Sequence, residues 1–213
     1  MSDDYSKFHD CKMLVVIVSC LKHQYLWKKI SERLNNCIIL CGGKETKLIG
    51  NILYLKCIDT YDGLSEKMMT AFDFILNSGI FKSLTHVFKA DDHDTLFTTK
   101  QIEDIQVKYK DELETHDYIG QNLIPYGKIS RTYHYKKVPI TSKWHNKPFL
   151  GDYTAYLGGG ETYILSKKAL ECLVPNMKEY ENFIYEDLMM GTILSRYDIK
   201  PYKLRYNIRT WMG

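Results

Sequence analysis

Three carboxylates and one imidazole occupy four consecutive positions just after the apolar run THVF. They are Asp91, Asp92, His93 and Asp94. Carboxylates this close repel one another and gain little from burial, so a divalent cation that joins them would explain the cluster. Aspartate oxygens suit Mg²⁺ or Mn²⁺, and the imidazole favours Mn²⁺. The alternative is a solvated turn whose aspartates cap a helix.

A second acidic pair, Glu186 and Asp187, begins the stretch EDLMMGTILSRY. The stretch is predicted to be a helix, and acids in a first helical turn gain about 0.3–1 kcal/mol from the helix dipole. That gain alone could explain the pair. If the helix begins near the metal cluster, one of these carboxylates could instead be a general base that takes a proton from an incoming hydroxyl.

The elements that must position these acids alternate between strands and helices. Apolar, β-branched runs predict buried strands in KMLVVIVSC, CIILCGG, NILYLKC and LTHVFKA. Helical spacing follows in QYLWKKISERLNN and in DTYDGLSEKMMTAFDFILNSGIF. This repeated order predicts an α/β fold with a doubly wound, mostly parallel sheet. Ligands of such sheets bind beyond the carboxyl ends of the strands, which is where ADDHD falls.

The remaining patterns complete the sheet and its helices. Asp62 is predicted to cap a helix that stops at Gly79, and a further helix is expected from 100 to 113. Residues 124–149 alternate and predict a hairpin or loop-rich insert. Short strands are predicted in HDYIG, GGGETYILS and KPYKLRY, and Ser166 should cap the helix KKALECLVP.

Composition limits the class of protein. The 213 residues suit one α/β domain with a sizeable core, or two small domains. A formal net charge of +3 without a basic stripe argues against nucleic-acid binding. The six cysteines have no C-x-x-C spacing, which predicts free thiols rather than a zinc site. There is no P-loop motif, and no apolar run is long enough to span a membrane. We therefore expect a cytoplasmic protein, or a catalytic domain cut from a longer chain.

Four short stretches match one known pattern in order. They are DTYDGLSEKM from Asp59, KADDHDTLF from Lys89, KW at Lys143 followed by YLGGGETYILS from Tyr156, and EDLMMG from Glu186. Together they cover most of the chain from Asp59 to Gly191. On these motifs the sequence resembles the GT-A glycosyltransferases of the β-1,3-galactosyltransferase and Fringe type.

The resemblance implies one GT-A domain over residues 1–213, with a nucleotide-binding half before residue 121 and an acceptor-side half after it. It also implies a nucleotide-sugar donor, usually a UDP-sugar, and a divalent ion, Mn²⁺ or Mg²⁺, bound through the acidic cluster. Ser19, at the end of the first strand, matches the position that holds uracil and ribose. Lys67 would lie close to the nucleotide, as would Asp91 and Asp92.

The resemblance further suggests an inverting transfer to a hydroxyl of a glycan or glycoprotein, with Asp187 as the base and Glu186 beside it. The sugar and acceptor surfaces would be shaped by Trp144, Tyr156, Gly159 and Gly160, although an aromatic residue there is more often plain packing. The insert at 124–149 is a candidate for acceptor recognition or for a lid. The chain looks like soluble GT-A domains of large DNA viruses or bacteria, some of which glycosylate capsid proteins.

The family's triple aspartate is replaced here, so the metal motif has two registers. Counted from Lys89, the ligands are Asp91 and His93. Counted back from Leu96 and Phe97, they are Asp92 and Asp94, which is the register we favour. The family's arginine-rich motif after the first strand is missing, and no histidine follows the second acidic pair.

Three other functions stay open at this stage. The chain could be a nucleotide-sugar-binding protein without catalysis, a metal-dependent nucleotidyltransferase or phosphohydrolase, or a structural module with a solvated acidic turn. Transfer of sugar, release of phosphate or pyrophosphate, and nucleotide binding without turnover distinguish among them.

Overall fold

The computed structural model describes residues 5–94, 97–160 and 162–205. Side chains are described throughout these ranges except at positions 94, 128–130, 151 and 152. Leu96 and the side chain of Asp94, which take part in the predicted metal motif, therefore lie outside the described part, as does Glu161 of the predicted strand GGGETYILS.

Strands and helices alternate through the first half of the chain. The strands are β1 Met13–Val18, β2 Cys37–Gly43, β3 Lys47–Ile49, β4 Ile52–Lys56, β5 His86–Asp91, β6 Tyr118–Gly120, β7 Leu123–Ile124, β8 Gly127–Arg131, β9 Phe149–Tyr153, β10 Tyr156–Leu157, β11 Tyr163–Ser166 and β12 Tyr202–Lys203. The α-helices are α1 Gln24–Arg33, α2 Leu64–Asn77, α3 Thr99–Lys108, α4 Lys110–Thr115, α5 Lys167–Leu173 and α6 Glu186–Ser195. In the described ranges, 3-10 helices cover Ser6–Phe8, Leu21–His23, Tyr61–Gly63, Asp92–Asp94 and Val174–Asn182.

Eight of the strands in the described ranges form one sheet, in the order β12, β6, β11, β5, β1, β2, β4, β3. The central strand β1 pairs in parallel with both β2 and β5. Parallel pairing also joins β2 to β4 and β6 to β12, whereas β11 is antiparallel to both of its neighbours. The predicted α/β fold with a mostly parallel sheet is confirmed.

Helices cover both faces of this sheet, as a doubly wound sheet requires. Alternate side chains of β1 enter two different cores: Leu14, Val16 and Val18 face α2, α5 and α6, while Met13, Val15 and Ile17 face α1 and α3. All six are at most 7% exposed. A strand that is apolar on both faces forms only where both faces are covered, which is why the run had no alternating pattern.

Of the two predicted ends of α2, the C-terminal end is confirmed and the N-terminal cap is wrong. Gly79 follows the helix with φ +71°, a left-handed conformation that confirms the predicted stop. The predicted cap by Asp62 is wrong, because Gly63 is the N-cap residue and no side chain caps this end. Gly63 is required there by close packing: an added Cβ would lie 2.2 Å from the carbonyl oxygen of Ile58.

Other predicted elements differ in their bounds. The helix expected at 100–113 is two helices, α3 and α4, which meet at Tyr109. The predicted capping of α5 by Ser166 is confirmed, since its hydroxyl accepts from the Ala169 amide at 3.1 Å. The last strand covers only Tyr202–Lys203 of the predicted KPYKLRY.

The insert contains the predicted hairpin, formed by β8 and β9 with Gly127 paired to Tyr153. Residues 132–148 join these strands without a strand or α-helix of their own. Aromatic rings of the insert pack with those before α6 in a separate small core, which includes Phe149, Tyr153 and Tyr185. All six cysteines are free, and no helix in the described ranges is long and apolar enough to cross a membrane.

Close packing of α6 against β10 depends on a glycine in the EDLMMG motif. A Cβ added at Gly191 would lie 2.4 Å from the Cβ of Tyr156 and 2.9 Å from the carbonyl oxygen of Ala155. Alanine normally stabilises a helix interior relative to glycine by about 1 kcal/mol. Here we expect Gly191→Ala to lower the free energy of unfolding by about 1–3 kcal/mol, as overpacking does. Denaturant unfolding measures this change.

The matched control is Gly127→Ala, because an added Cβ at Gly127 meets no atom within 4 Å. That variant should change the free energy of unfolding by no more than about 0.5 kcal/mol. Equal effects of the two substitutions would contradict the packing argument.

Candidate functional site

The carboxyl ends of β1 and β5 lie side by side, because the two strands are parallel and Val18 pairs with Asp91. The next residues on each strand, Ser19 and Asp92, therefore meet: the Ser19 hydroxyl donates to Asp92 Oδ2 at 2.7 Å. Trp27 Nε1 in turn donates to the Ser19 hydroxyl at 2.8 Å. The Asp92 side chain is only 3% exposed, so these bonds fix its orientation.

Two imidazoles also contact the Asp92 carboxylate. His23 Nδ1 lies 2.7 Å from Oδ2, and the more exposed His93 places its Nδ1 3.3 Å from Oδ1. A carboxylate offers about four lone-pair positions, so Oδ1 keeps capacity for a further ligand. His23 was not predicted from the sequence, because the 3-10 helix that carries it after β1 leaves no apolar pattern.

Lys67 contacts the backbone of Ser19 but is paired with Asp59 rather than with Asp92. Its ammonium donates to the Ser19 carbonyl at 2.7 Å and to Asp59 Oδ1 at 2.6 Å, and its side chain is 3% exposed. The expectation that Lys67 lies near a nucleotide stays a prediction. In this structure its charge is compensated by Asp59, and it holds the end of β1.

Asp59 joins three segments through one carboxylate. Besides Lys67, it accepts from the amides of Leu21 and Gly42, each at 2.8 Å. Burial alone would raise the pKa of Asp59, but Lys67 and these amides outweigh it and hold the pKa below its ordinary value. Gly42 is required here because an added Cβ would lie 2.5 Å from the Cβ of Asp59. Asp59, the first residue of the first family motif, thus has a structural role because it joins these segments.

The second acidic pair lies on the other side of β5. Glu186, the first residue of α6, is 3% exposed, with Oε1 3.4 Å from the Lys89 ammonium. That ammonium is also 2.7 Å from Asp91 Oδ1 and donates to the carbonyl of Gly159. Burial would lower the pKa of Lys89, but Asp91 and Glu186 raise it above its ordinary value, so Lys89 stays charged.

Glu186 is the group in this cluster whose proton affinity is most altered. Burial, with a smaller contribution from repulsion by Asp187 and Asp91, raises its pKa from 4.5 to about 7 despite the attraction of Lys89. Its Oε2 is buried without a hydrogen-bond partner. Near neutral pH this carboxyl is therefore partly protonated and partly ionised.

Asp187 differs from Glu186 because it is only partly buried. Its Oδ2 accepts from the Gly159 amide at 2.9 Å, and its Oδ1 accepts from the Leu188 amide at 2.8 Å. An added Cβ at Gly159 would lie 2.9 Å from both Glu186 oxygens, so the Glu186 carboxylate would have to shift. Gly160 is exposed, with space around it.

The aromatic residues predicted to shape the acceptor surface are packed into the insert's core. Tyr156 is 1% exposed, and its hydroxyl accepts from Arg131, whose guanidinium carbon lies 4.7 Å from the Tyr185 ring centre. Trp144 is half-buried and packs against Phe149. Acceptor binding by Trp144 and Tyr156 stays a prediction, and the contacts of Arg131 with Tyr156 and Tyr185 were not foreseen.

The described side chains fit a cation that also takes ligands from a substrate. Within the described ranges, no three His, Cys, Asp or Glu side chains are arranged to hold a metal by themselves. Mg²⁺ commonly uses one or two carboxylates plus substrate phosphates rather than an all-protein cage. Asp92, with its partly free Oδ1, supplies one such carboxylate.

A family model described as Galactosyltransferase matches residues 38–205. The chain belongs to the galactosyltransferase family. It is therefore a glycosyltransferase that uses a nucleotide-sugar donor and an acceptor, and the resemblance drawn from the four motifs is confirmed. The match includes the acidic cluster, Lys89 and the EDLMMG motif, but begins after β1. No curated protein matches the chain.

Two solved structures have a distantly similar chain path. This chain superposes on 4-diphosphocytidyl-2C-methyl-D-erythritol synthase from Anaerococcus prevotii with a TM-score of 0.44 and 12% identity, covering 93% of this chain and 88% of that one. For CMP:2-keto-3-deoxy-manno-octonic acid synthetase complexed with CTP, the TM-score is 0.43 and the identity 6%, with coverage of 91% and 90%. Likeness at this level carries no argument about function.

The raised pKa of Glu186 predicts a pH dependence of stability in this glycosyltransferase. The folded state binds this proton more tightly than the unfolded state, so the stabilisation is present below pH 4.5 and is lost as pH rises to about 7. We expect the free energy of unfolding to fall by about 2–3 kcal/mol more in the wild type than in Glu186→Gln between pH 5 and pH 8.

Denaturant unfolding of both proteins at the two pH values measures the difference. Glu186→Gln keeps the shape of the side chain and removes its titration, so it is the matched control. Parallel pH curves for the two proteins would show that Glu186 has an ordinary pKa.

Proposed function

We propose that this glycosyltransferase is a metal-dependent enzyme that moves a hexose from a UDP-sugar to a hydroxyl of a glycan or glycoprotein, with inversion at the anomeric carbon. The observation that carries the proposal is the placement of two separate acidic sites at the carboxyl end of β5. One contains Asp92 beside Ser19, and the other contains Asp187 beside Gly159. A donor and an acceptor hydroxyl need such a pair of sites.

The donor would bind at the first site. Ser19 and Asp92 would contact the nucleoside, and Asp92 with Asp94 would hold Mn²⁺ or Mg²⁺. The structure supports this register over Asp91-x-His93, because the charge of Asp91 is already compensated by Lys89 at 2.7 Å. When bound, the ion supplies positive charge that stabilises the leaving diphosphate.

Asp187 would be the general base at the second site. It is partly exposed, and two backbone amides orient its carboxylate, whereas Glu186 is buried against Lys89. Asp187 takes the proton of the acceptor hydroxyl as that oxygen forms a bond to the anomeric carbon. The bond from the anomeric carbon to the diphosphate oxygen breaks with its electrons, and the proton stays on Asp187. One displacement inverts the configuration.

The donor site is tested by melting experiments with UDP. UDP with Mn²⁺ should raise the melting temperature of the wild type, since ligand at about 100 times its dissociation constant adds about 2.7 kcal/mol of stability. We expect Asp92→Asn/Asp94→Asn to lose the Mn²⁺-dependent part of this shift. Asp111→Asn, an exposed substitution on α4, should keep it.

A double variant that keeps the Mn²⁺-dependent shift would place the ion elsewhere. A UDP-sugar assay completes the test. Release of phosphate or pyrophosphate instead of UDP would favour a phosphohydrolase or nucleotidyltransferase, and binding without turnover on any acceptor would favour a binding protein.

The base is tested by Asp187→Asn. We expect kcat to fall by about 10²–10⁴, the usual contribution of a general base, while the affinity for UDP and Mn²⁺ stays unchanged. Asp198→Asn is the control, because its side chain is 88% exposed and its φ of 55° suits asparagine. Proton NMR of the product should show the anomeric configuration opposite to that of the donor.

Transfer by Asp187→Asn at the wild-type rate would exclude this residue as the base. A product with the donor's configuration would exclude the single displacement, whatever the effect of the substitution.

A further inference from the structure

Lys89 is a buried charge in the middle of the sheet. It lies in β5 between Val16 of β1 and Tyr163 of β11, and it is 1% exposed. Burying an ammonium without partners is strongly unfavourable, so such a residue persists only where its donors are satisfied. Lys89 satisfies them with three acceptors on three different segments.

Each acceptor belongs to a different part of the proposed site. Asp91, at 2.7 Å, ends β5 and precedes Asp92 of the donor site. Glu186, at 3.4 Å, begins α6 and precedes the proposed base. Gly159, whose carbonyl accepts from Lys89, lies in the loop between β10 and β11. One side chain therefore contacts the donor side and the acceptor side together.

Gly159 links Lys89 to Asp187, the proposed base. While its carbonyl accepts from Lys89, its amide donates to Asp187 Oδ2 at 2.9 Å. The Glu186 carboxylate packs against the same residue, 2.9 Å from the place where a Cβ would be. Gly159 is thus held by Lys89, Glu186 and Asp187, and its position sets the orientation of the Asp187 carboxylate.

We propose that Lys89 is a positioning residue, which fixes the Asp187 carboxylate relative to the carboxyl end of β5 through Gly159 and Glu186. The inference rests on the proposed function, because it assigns roles to the two sites that Lys89 joins. Lys89 touches neither reacting group. It acts by holding the base at the distance and angle that the acceptor hydroxyl needs.

The second buried lysine offers a matched comparison. Lys67 is 2% exposed and is also paired with a carboxylate, but its acceptors are Ser19 and Asp59, on the donor side alone. If each lysine acts through the segments that it contacts, loss of Lys89 should lower kcat, whereas loss of Lys67 should weaken UDP binding. If burial of a charge is all that matters, loss of either lysine should have the same effects.

The experiment measures kcat for sugar transfer and the dissociation constant of UDP with Mn²⁺ in Lys89→Met and Lys67→Met. Lys89→Met should lower kcat about a hundredfold, because small misplacements of a catalytic group have effects of that size. Its UDP affinity should stay within about threefold of the wild type. Lys67→Met should weaken UDP binding instead.

Gly159→Ala repeats the test without removing a buried charge, so it decides the matter if Lys89→Met does not fold. It should show the same loss of kcat with retained UDP affinity. Equal losses of kcat and UDP affinity in the folded variants, or an unchanged kcat, would overturn the proposal.

Hydrogen exchange separates this inference from the proposed function. In Lys89→Met, or in Gly159→Ala if that variant alone folds, the amide that bonds to Asp187 should exchange faster, while the amides of β1 keep their protection. A wild type that transfers no sugar would contradict the proposed function. Unchanged exchange at the residue-159 amide would contradict the positioning role, whether or not the enzyme is active.

Discussion

Negative charge at the carboxyl end of the central strands must be compensated before this sheet can form. Asp59, Asp91 and Glu186 all approach that end, and each contacts one of two buried lysines. Lys67 compensates Asp59, and Lys89 compensates Asp91 and Glu186. The acids are therefore paired inside a packed fold, where unpaired carboxylates would be strongly destabilising.

Glycines let the backbone approach these acids. Because these residues have no Cβ, Asp59 packs against Gly42, the Glu186 carboxylate packs against Gly159, and the backbone of β10 packs against Gly191 of α6. At each of the three, an added Cβ would come within 3.0 Å of a neighbouring atom. Gly159 and Gly191, which belong to the family motifs, thus have a steric reason that is independent of any ligand. The motifs therefore contain residues that pack the fold as well as residues proposed for chemistry.

Continuous apolar runs predicted the central strands of the sheet, because β1, β2 and β5 are buried on both faces and their composition reflects that burial. The acidic sites were also visible as clusters, and the order of the motifs identified the family. The contacts that join the two acidic sites could not be predicted from the sequence. Lys89 and Gly159 are 70 positions apart, and no local pattern pairs an interior lysine with a distant carbonyl. His23 and Arg131 lie in segments whose conformation depends on tertiary contacts, and the cap at Asp62 was overridden by tight packing at Gly63.

A crystal structure with UDP and Mn²⁺ would locate the ion and the diphosphate together. We expect a cation bound by carboxylate oxygens after β5, next to the diphosphate, with uridine beside Ser19 and the Asp187 carboxylate facing the diphosphate across an open acceptor space. A structure in which UDP and the ion bind away from the end of β5, with Asp92 still bonded only to Ser19 and His23, would contradict this expectation.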